Sequence, residues 1–201
     1  MMATPTTGQT TGQFIGIQKL HVAEMLTDVP NGTATYDTML DMGKVLIEVQ
    51  IEPTNNDATL YADNQAIDTA NVTQEYTLTF TTAALPLEYK AFLLGHKVEN
   101  GVMIADANDT APYFGLAFQA DKRNGKARFV KFFKVQFAEP SETNTTRGET
   151  IEYNTPSLTA KAIYRLCDGK VYVQGDEESP GWNTSVGTNW YSGMGYTTLS
   201  P

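Results

Sequence analysis

Two histidines and one cysteine are the residues of this chain best suited to metal or nucleophilic chemistry. His21 and His96 lie in different predicted elements and form no His-X-His or His-Glu-X-X-His motif, so no metal site is predicted. His96 follows a predicted helix end, where an imidazolium can lie near free carbonyls, which favours a structural role. Cys167 precedes an Asp-Gly turn and has no histidine arranged beside it, which indicates an unreactive thiol.

Other catalytic signatures are missing from the sequence as well. The chain has no Gly-X-Ser-X-Gly elbow, no Walker A loop and no Gly-X-Gly-X-X-Gly fingerprint. Its acidic residues are spread over strands and loops, and no pair is singled out as a glycosidase dyad. We therefore expect a protein that is not an enzyme and needs no cofactor.

Composition narrows the class further. The 201 residues are 41% hydrophobic, which fits one folded domain. A single cysteine excludes an intrachain disulfide framework. The sequence contains no apolar run of about 18 residues, so no transmembrane helix is predicted. The first residues lack the basic and apolar regions of a secretory signal, so synthesis in a reducing cytoplasm, without export by the usual route, is expected. The net charge of −9 argues against stable binding of nucleic acid.

The charge is unevenly distributed along the chain. Residues 1–80 hold two bases and ten acids, while residues 122–134 hold six bases and no acid. One interpretation is a soluble protein whose charges segregate without consequence. The other is a pair of complementary surfaces that meet between copies, as heterologous contacts require.

The strongest structural signal is a hairpin. Residues 113–121 and 126–137 read as two long strands joined through Asn124-Gly125, the dipeptide favoured in a type I′ turn. The second strand is apolar on both faces and carries cations between its aromatic residues. We therefore expect it to be covered, in part by something outside this chain.

Further strands are predicted for residues 14–25, 44–52, 72–82, 149–153, 158–166 and 171–174, and residues 98–104 carry a second hairpin signal, Asn100-Gly101. Residues 44–52 and 72–82 alternate cleanly between apolar and polar, which predicts half-buried strands. Pro53 is expected to end the first of these, leaving residues 54–70 as a long polar connection. One helix is predicted over residues 86–94, with Gly95 as its cap. This pattern predicts a mainly β fold, an antiparallel β-sandwich or barrel with one flanking α-helix. Residues 1–13 read as a flexible arm, 14–175 as the β domain and 176–201 as a C-terminal extension without a packed element.

Four ordered segments of the chain carry a family resemblance. TLYADN (59–64), LPLEYKAFLLGHKVENGV (85–102), residues 109–140 and RGETIEYNTPSLTAKAI (147–163) resemble the major tail protein of long, non-contractile-tailed bacteriophages and prophages of Gram-positive bacteria. The likeness covers roughly residues 14–165. It implies a tail-tube-like β-sandwich that forms hexameric rings, stacked into a hollow tube in the virion tail.

The resemblance also implies partners. They are further copies of the chain, a tape-measure protein in the lumen, and tail terminator and distal tail proteins at the two ends, with DNA only in transit. Two alternatives stay open. The chain is another virion β protein, such as a capsid-decorating or tail-terminating protein, or it is a carbohydrate-binding β-sandwich, as its aromatic tail from Trp182 to Tyr196 suggests.

Two sets of residues follow from these expectations. The polar faces of residues 44–52 and 72–82 are expected to line the lumen, although the same faces would meet bulk water on a monomer. Their candidates are Glu48, Gln50, Glu52, Glu75 and Thr77. The long connection and the N-terminal arm are expected to contact neighbouring subunits within or between rings, unless the connection is a mobile surface loop. The basic hairpin is expected to face acids of residues 1–80 on another copy, so that assembly slows as salt rises. The candidates for these contacts are Leu60, Tyr61, Asp57, Asp63, Asp68, Lys122, Arg123, Lys126, Arg128, Lys131 and Lys134.

Overall fold

The computed structural model describes residues 12–62, 65–140 and 155–195, and within these ranges residues 57–62 and 65–70 are described by their backbone alone. The strands of this part of the chain are β1 (Phe14–Asp28), β2 (Ala34–Tyr36), β3 (Leu40–Asp41), β4 (Leu46–Ala62), β5 (Gln65–Thr82), β6 (Lys97–Glu99), β7 (Val102–Ile104), β8 (Tyr113–Lys122), β9 (Ala127–Phe137), β10 (Ser157–Ala162) and β11 (Tyr172–Asp176). Its helices are α1 (Leu87–Leu94) and α2 (Thr184–Asn189).

Nine of these strands form one antiparallel sheet. The order is β2-β1-β8-β9-β10-β5-β4, with β3 paired to β1 and β11 paired to β9, while β6 and β7 make a separate hairpin. The sheet curves until β1 and β4 come into contact, which folds it into two layers around one core. The predicted fold class, mainly antiparallel β with a flanking helix, is confirmed. The short helix α2 was not predicted.

The core lies inside the curved sheet and under α1. Leu78 and Phe80 of β5 and Phe114 of β8 are at most 2% exposed, as the alternation of residues 72–82 predicted for β5. Helix α1 begins after Pro86 and ends at Gly95, whose φ of 76° is the left-handed conformation expected of a glycine cap. Its buried face closes the open side of the core.

The predicted hairpin of β8 and β9 is confirmed, but its turn type is not. Gly125 has a φ of 78°, while Asn124 is not in the positive-φ region. The Gly125 N–H donates to the Lys122 carbonyl, so a type I turn precedes a glycine bulge. A type I′ turn occurs instead between β6 and β7, where Asn100 and Gly101 both have positive φ.

The largest difference from the sequence prediction is the connection over residues 54–70. It is not a loop: β4 and β5 stay paired from Leu46↔Thr82 to Ala62↔Gln65. Pro53 does not end β4, because β4 is the last strand of the sheet and one of its edges needs no partner. At about 3.3 Å per residue, β4 extends roughly 55 Å. Asp63 and Asn64 lie outside the described residues.

The chain after β11 also differs from the prediction. Trp190 and Met194 are buried against the sheet, so residues 176–195 are packed and are not a loose extension. Residues 1–11, most of the predicted arm, and the predicted strand over 149–153 lie outside the described residues. Gly12, where the description begins, donates its N–H to the Glu178 carboxylate.

Candidate functional site

A polar face runs across β4, β5 and β10. Pairing aligns these strands in register, so alternate residues of each come to the same side of the sheet. The two strands whose sequences alternate most cleanly, β4 and β5, are therefore direct neighbours in the sheet. Three cross-strand rows result: Glu48–Thr81–Ser157, Gln50–Thr79–Thr159 and Glu52–Thr77–Lys161. Glu75 lies one step beyond, opposite Thr54.

All five predicted lumen residues share this polar face. Glu48, Gln50 and Glu52 are exposed, and the Gln50 amide donates to the Glu52 carboxylate over 2.6 Å. Lys161 pairs with Glu75 at 2.7 Å, and its side chain remains 63% exposed. Hydroxyls, one amide and an excess of carboxylates thus form the face, while the opposite side of the same strands is the apolar core.

The free edge of β4 is the second feature of the site. Within the part of the chain that the structure describes, β4 pairs only with β5, so its outer edge carries unpaired N–H and C=O groups along the strand. Ile47 near its start is 50% exposed. A long unpaired edge is a template for another chain unless something covers it.

The basic hairpin requires a correction. Three of its cations are buried, and their partners belong to the same chain. Lys122 lies between the carboxylates of Asp176 and Glu178, with Nζ–O distances of 2.6 and 2.5 Å. Lys134 binds Asp28 at 2.8 Å, and Lys131 donates to the Gly193 carbonyl at 2.8 Å. The prediction that Lys122, Lys131 and Lys134 face acids of another copy is therefore wrong.

The other three cations of the hairpin are partly or fully exposed to solvent. Arg128 pairs with Asp176 at 2.9 Å, and its side chain remains 34% exposed. Arg123 and Lys126 are exposed on the turn and stay candidates for contacts between copies. Leu60, Tyr61, Asp57 and Asp68 also remain predictions, because their side chains are not described.

The acidic run Asp176-Glu177-Glu178 supplies the carboxylates that pair with Lys122 and Arg128. Partial burial alone would raise the pKa of Asp176, but hydrogen bonds from Lys122 and from the Glu178 N–H outweigh it and hold that pKa below its usual value. Glu177 accepts a hydrogen bond from the Ala127 N–H. The run Asp176-Glu177-Glu178 is the sequence signal that could have identified the partner of the basic hairpin. It was assigned to the C-terminal extension and was not connected with the hairpin.

Strand β9 is covered on both faces by its own chain. Phe132 and Val135 face the main core, while Phe129 packs against Trp182 and Trp190. The expectation that something outside the chain covers part of β9 is therefore wrong. Because Trp190 is 2% exposed and Trp182 stacks on Phe129, these aromatic side chains form no exposed platform for a sugar ring. Tyr196 lies outside the described residues.

The two histidines and the cysteine contact neighbouring side chains of the fold. His96 lies 2.8 Å from Asp109 and 3.2 Å from Glu139, and hydrogen bonds to these two carboxylates raise its pKa. The His21 ring packs against Tyr191, with ring centroids 4.4 Å apart. Burial raises the pKa of the Cys167 thiol. Among the described residues no cluster of His, Cys, Asp or Glu is arranged to hold a metal ion.

The chain was also inspected for helices that could cross a membrane and compared with known families and proteins. Within the described ranges, no helix has the length and apolar character needed to cross a membrane. Neither a scan against protein-family models nor a search of curated proteins found a match to this chain.

Proposed function

We propose that this protein is the subunit of a phage tail tube, which assembles as hexameric rings stacked around a channel. The observation that carries the proposal is the combination of a one-sided polar sheet face with a long hairpin whose outer edge is free. Its support from sequence is the resemblance of four ordered segments to the major tail protein of long-tailed phages.

The free edge supports self-assembly. An isolated monomer would expose the outer edge of β4 to any other strand, which invites uncontrolled aggregation. A closed ring covers such edges, because each subunit presents one edge to the next and the last meets the first. The hairpin of β4 and β5 gives each subunit an arm long enough to reach a neighbour.

The polar face suits the wall of a DNA channel. Glu48 and Glu52 are exposed there, and the only described cation of its three rows, Lys161, is paired with Glu75. A wall without free cations makes no lasting contact with phosphates, so DNA slides past it. In this proposal the tape-measure protein occupies the same channel before DNA passes, and terminator and distal tail proteins bind the ends of the tube.

Sedimentation velocity and negative-stain microscopy of the purified protein test the proposal. Hexameric rings or hollow tubes are the expected result. Trimeric particles would favour a capsid-decorating role instead, and monomers at every concentration would argue against any tube. The carbohydrate-binding alternative gains no support from Trp190, which is buried, or from Trp182, which stacks on Phe129.

Reversing the charge of the polar face should create a DNA-binding channel. In a Glu48→Lys/Glu52→Lys variant, rings and tubes should still form, because neither side chain contacts the core. The tubes should retain double-stranded DNA at low salt and release it as salt rises, with a slope that grows by about 0.9 for each phosphate contact. Electrophoretic retention and co-sedimentation measure this binding.

The matched control is Glu88→Lys/Glu99→Lys, which changes net charge equally at exposed sites outside the polar face. Control tubes should release DNA as the original protein does. If both variants hold DNA equally well, the polar face has no special place in the channel.

A further inference from the structure

Residues 182–195, which we name the C-terminal strap, cross the outer face of β8, β9 and β11. Trp190 and Met194 are 2% and 4% exposed in this position. Beneath them lie Phe129 and Phe133, and Phe133 is covered in addition by the Arg165 guanidinium, 3.8 Å from its ring centroid. The strap is thus a cover over an apolar sheet face.

Two glycines make room for this cover. A Cβ atom on Gly115 would lie 2.4 Å from the Met194 Cε, and one on Gly175 would lie 2.5 Å from a Trp182 ring carbon. With a Cβ atom at either position, the Met194 side chain or the Trp182 ring would have to move. The sheet therefore has a surface shaped to receive the strap, and not merely a face on which the chain end happens to rest.

The strap is held through side-chain contacts, among them a Tyr191 O–H that donates to the Gln119 Oε1 at 3.4 Å, and not by strand pairing. In the described part of the chain it adds no strand to the sheet, and its backbone hydrogen bonds are short-range, such as Val186 N–H to Asn183 C=O. The indole N–H groups of Trp182 and Trp190 are buried and have no acceptor among the described residues. Buried donors without partners cost free energy, so opening the strap regains hydration for both.

One buried cation lies under the end of the strap. The Lys131 side chain is fully buried, and its Nζ contacts the carbonyls of Gly193 at 2.8 Å and Gly195 at 3.4 Å. The Trp190 ring centroid lies 4.6 Å away. Among the described residues no carboxylate pairs with this ammonium. A buried charge without a counter-ion is costly unless it loses its proton.

The titratable groups on the surrounding elements do not supply that counter-ion. They are Lys19 and His21 of β1, Tyr36 of β2, Asp41 of β3, Asp121 of β8, Arg128 and Lys134 of β9, Asp176 of β11, Arg165 after β10, and Tyr191 of the strap. Asp176 binds Lys122 and Arg128, and Asp121 accepts from Gln18 and Gln119. Asp41 and Asp121 act on Tyr191, whose pKa is raised mainly by burial.

We propose that the C-terminal strap opens and closes on this sheet face, and that Lys131 couples its opening to the uptake of a proton. Closure desolvates the ammonium and favours the neutral amine. Opening returns the amine to water, where it binds a proton again. The strap is therefore held more tightly at alkaline pH than at neutral pH.

The direction of the pH dependence of strap opening follows from proton linkage. Burial lowers the pKa of Lys131 from 10.5 to about 8 in the closed state. Between these values the open state binds more protons, so raising the pH favours closure. The same relation predicts that the open population falls about tenfold between pH 7 and pH 9.

Chymotrypsin measures the open population directly, because it cuts at Trp190 and Tyr191 only when the strap is released. The cleavage rate at each pH is divided by the rate for a free peptide of residues 182–195. Cuts elsewhere in the chain report global unfolding. The normalised rate should fall about tenfold from pH 7 to pH 9, and a constant or rising rate would overturn the proposal.

Variants identify the titrating group. Lys131→Met removes the titration, so its normalised rate should be low and independent of pH, with Lys131→Leu serving if the Met variant is not folded. Lys97→Met, at an exposed lysine, and His21→Gln, beside Tyr191, should keep the profile of the original protein. If the pH dependence survives in the folded Lys131 variants, another group takes up the proton and the role proposed for Lys131 is wrong.

Discussion

Shortening the β4–β5 hairpin should abolish assembly and leave the subunit folded. The variant replaces residues 56–72 with Asn-Gly, so that Asn55 and Thr73, which pair in the sheet, become neighbours of a two-residue turn. The part of the hairpin that carries buried Leu78 and Phe80 is kept. We expect circular dichroism and thermal unfolding to show a folded monomer, and sedimentation to show no rings or tubes.

A second variant separates the backbone of the arm from its side chains. Leu60→Ser/Tyr61→Ser keeps the full hairpin but removes the two predicted apolar anchors. If these side chains dominate the contact between copies, this variant should also fail to assemble, since a few buried anchors carry most of an interface's binding energy. Normal tubes from the shortened hairpin would show that the arm makes no essential contact.

Replacing Lys122 with Met should cost about 2–3 kcal/mol of folding free energy. The variant keeps the apolar stem but leaves the Asp176 and Glu178 carboxylates facing each other without the cation between them. Removing one member of a buried charge cluster is destabilising because Glu178 loses its cation and Asp176 keeps only Arg128. In a chain of this length we expect Tm to fall by about 5–10 °C.

Lys126→Met is the matched control, because Lys126 lies on the same turn and is exposed. Its effect should stay within about 0.5 kcal/mol. Acid pH provides a second check. The pKa of Asp176 is lowered in the fold, so its contribution is present above the ordinary value of 3.8 and is lost as the pH falls through the lowered value. That loss should shrink in Lys122→Met. Equal stability of Lys122→Met and Lys126→Met would show that the ion pairs of Lys122 do not stabilise the fold.

Elements with strong local signals were predictable from the sequence. The alternation around Leu78 and Phe80 indicated a half-buried strand, and Pro86 and Gly95 marked the helix between them. The hairpin of β8 and β9 followed from Asn124-Gly125, but the turn type did not, because this dipeptide fits both a type I′ turn and a type I turn with a glycine bulge.

Features that depend on distant partners were not predictable. Lys122 and Asp176 are 54 residues apart, so nothing local showed that the basic hairpin is neutralised within the chain. The polar residues after Pro53 resembled a loop because strand propensity depends on pairing and packing more than on residue type. The polar sides of residues 44–52 and 72–82 were predictable, since period-two alternation is a local property of the sequence, whereas their place in a lumen stays a prediction.

A cryo-EM map of the particles formed by the unmodified protein tests the central claim most directly. The account predicts a hollow, six-subunit ring or a stack of such rings, with Glu48, Gln50 and Glu52 on the channel wall and the β4 edge in contact with the next subunit. A solid or closed particle, or a hollow tube with this polar face on its outer surface, would contradict it.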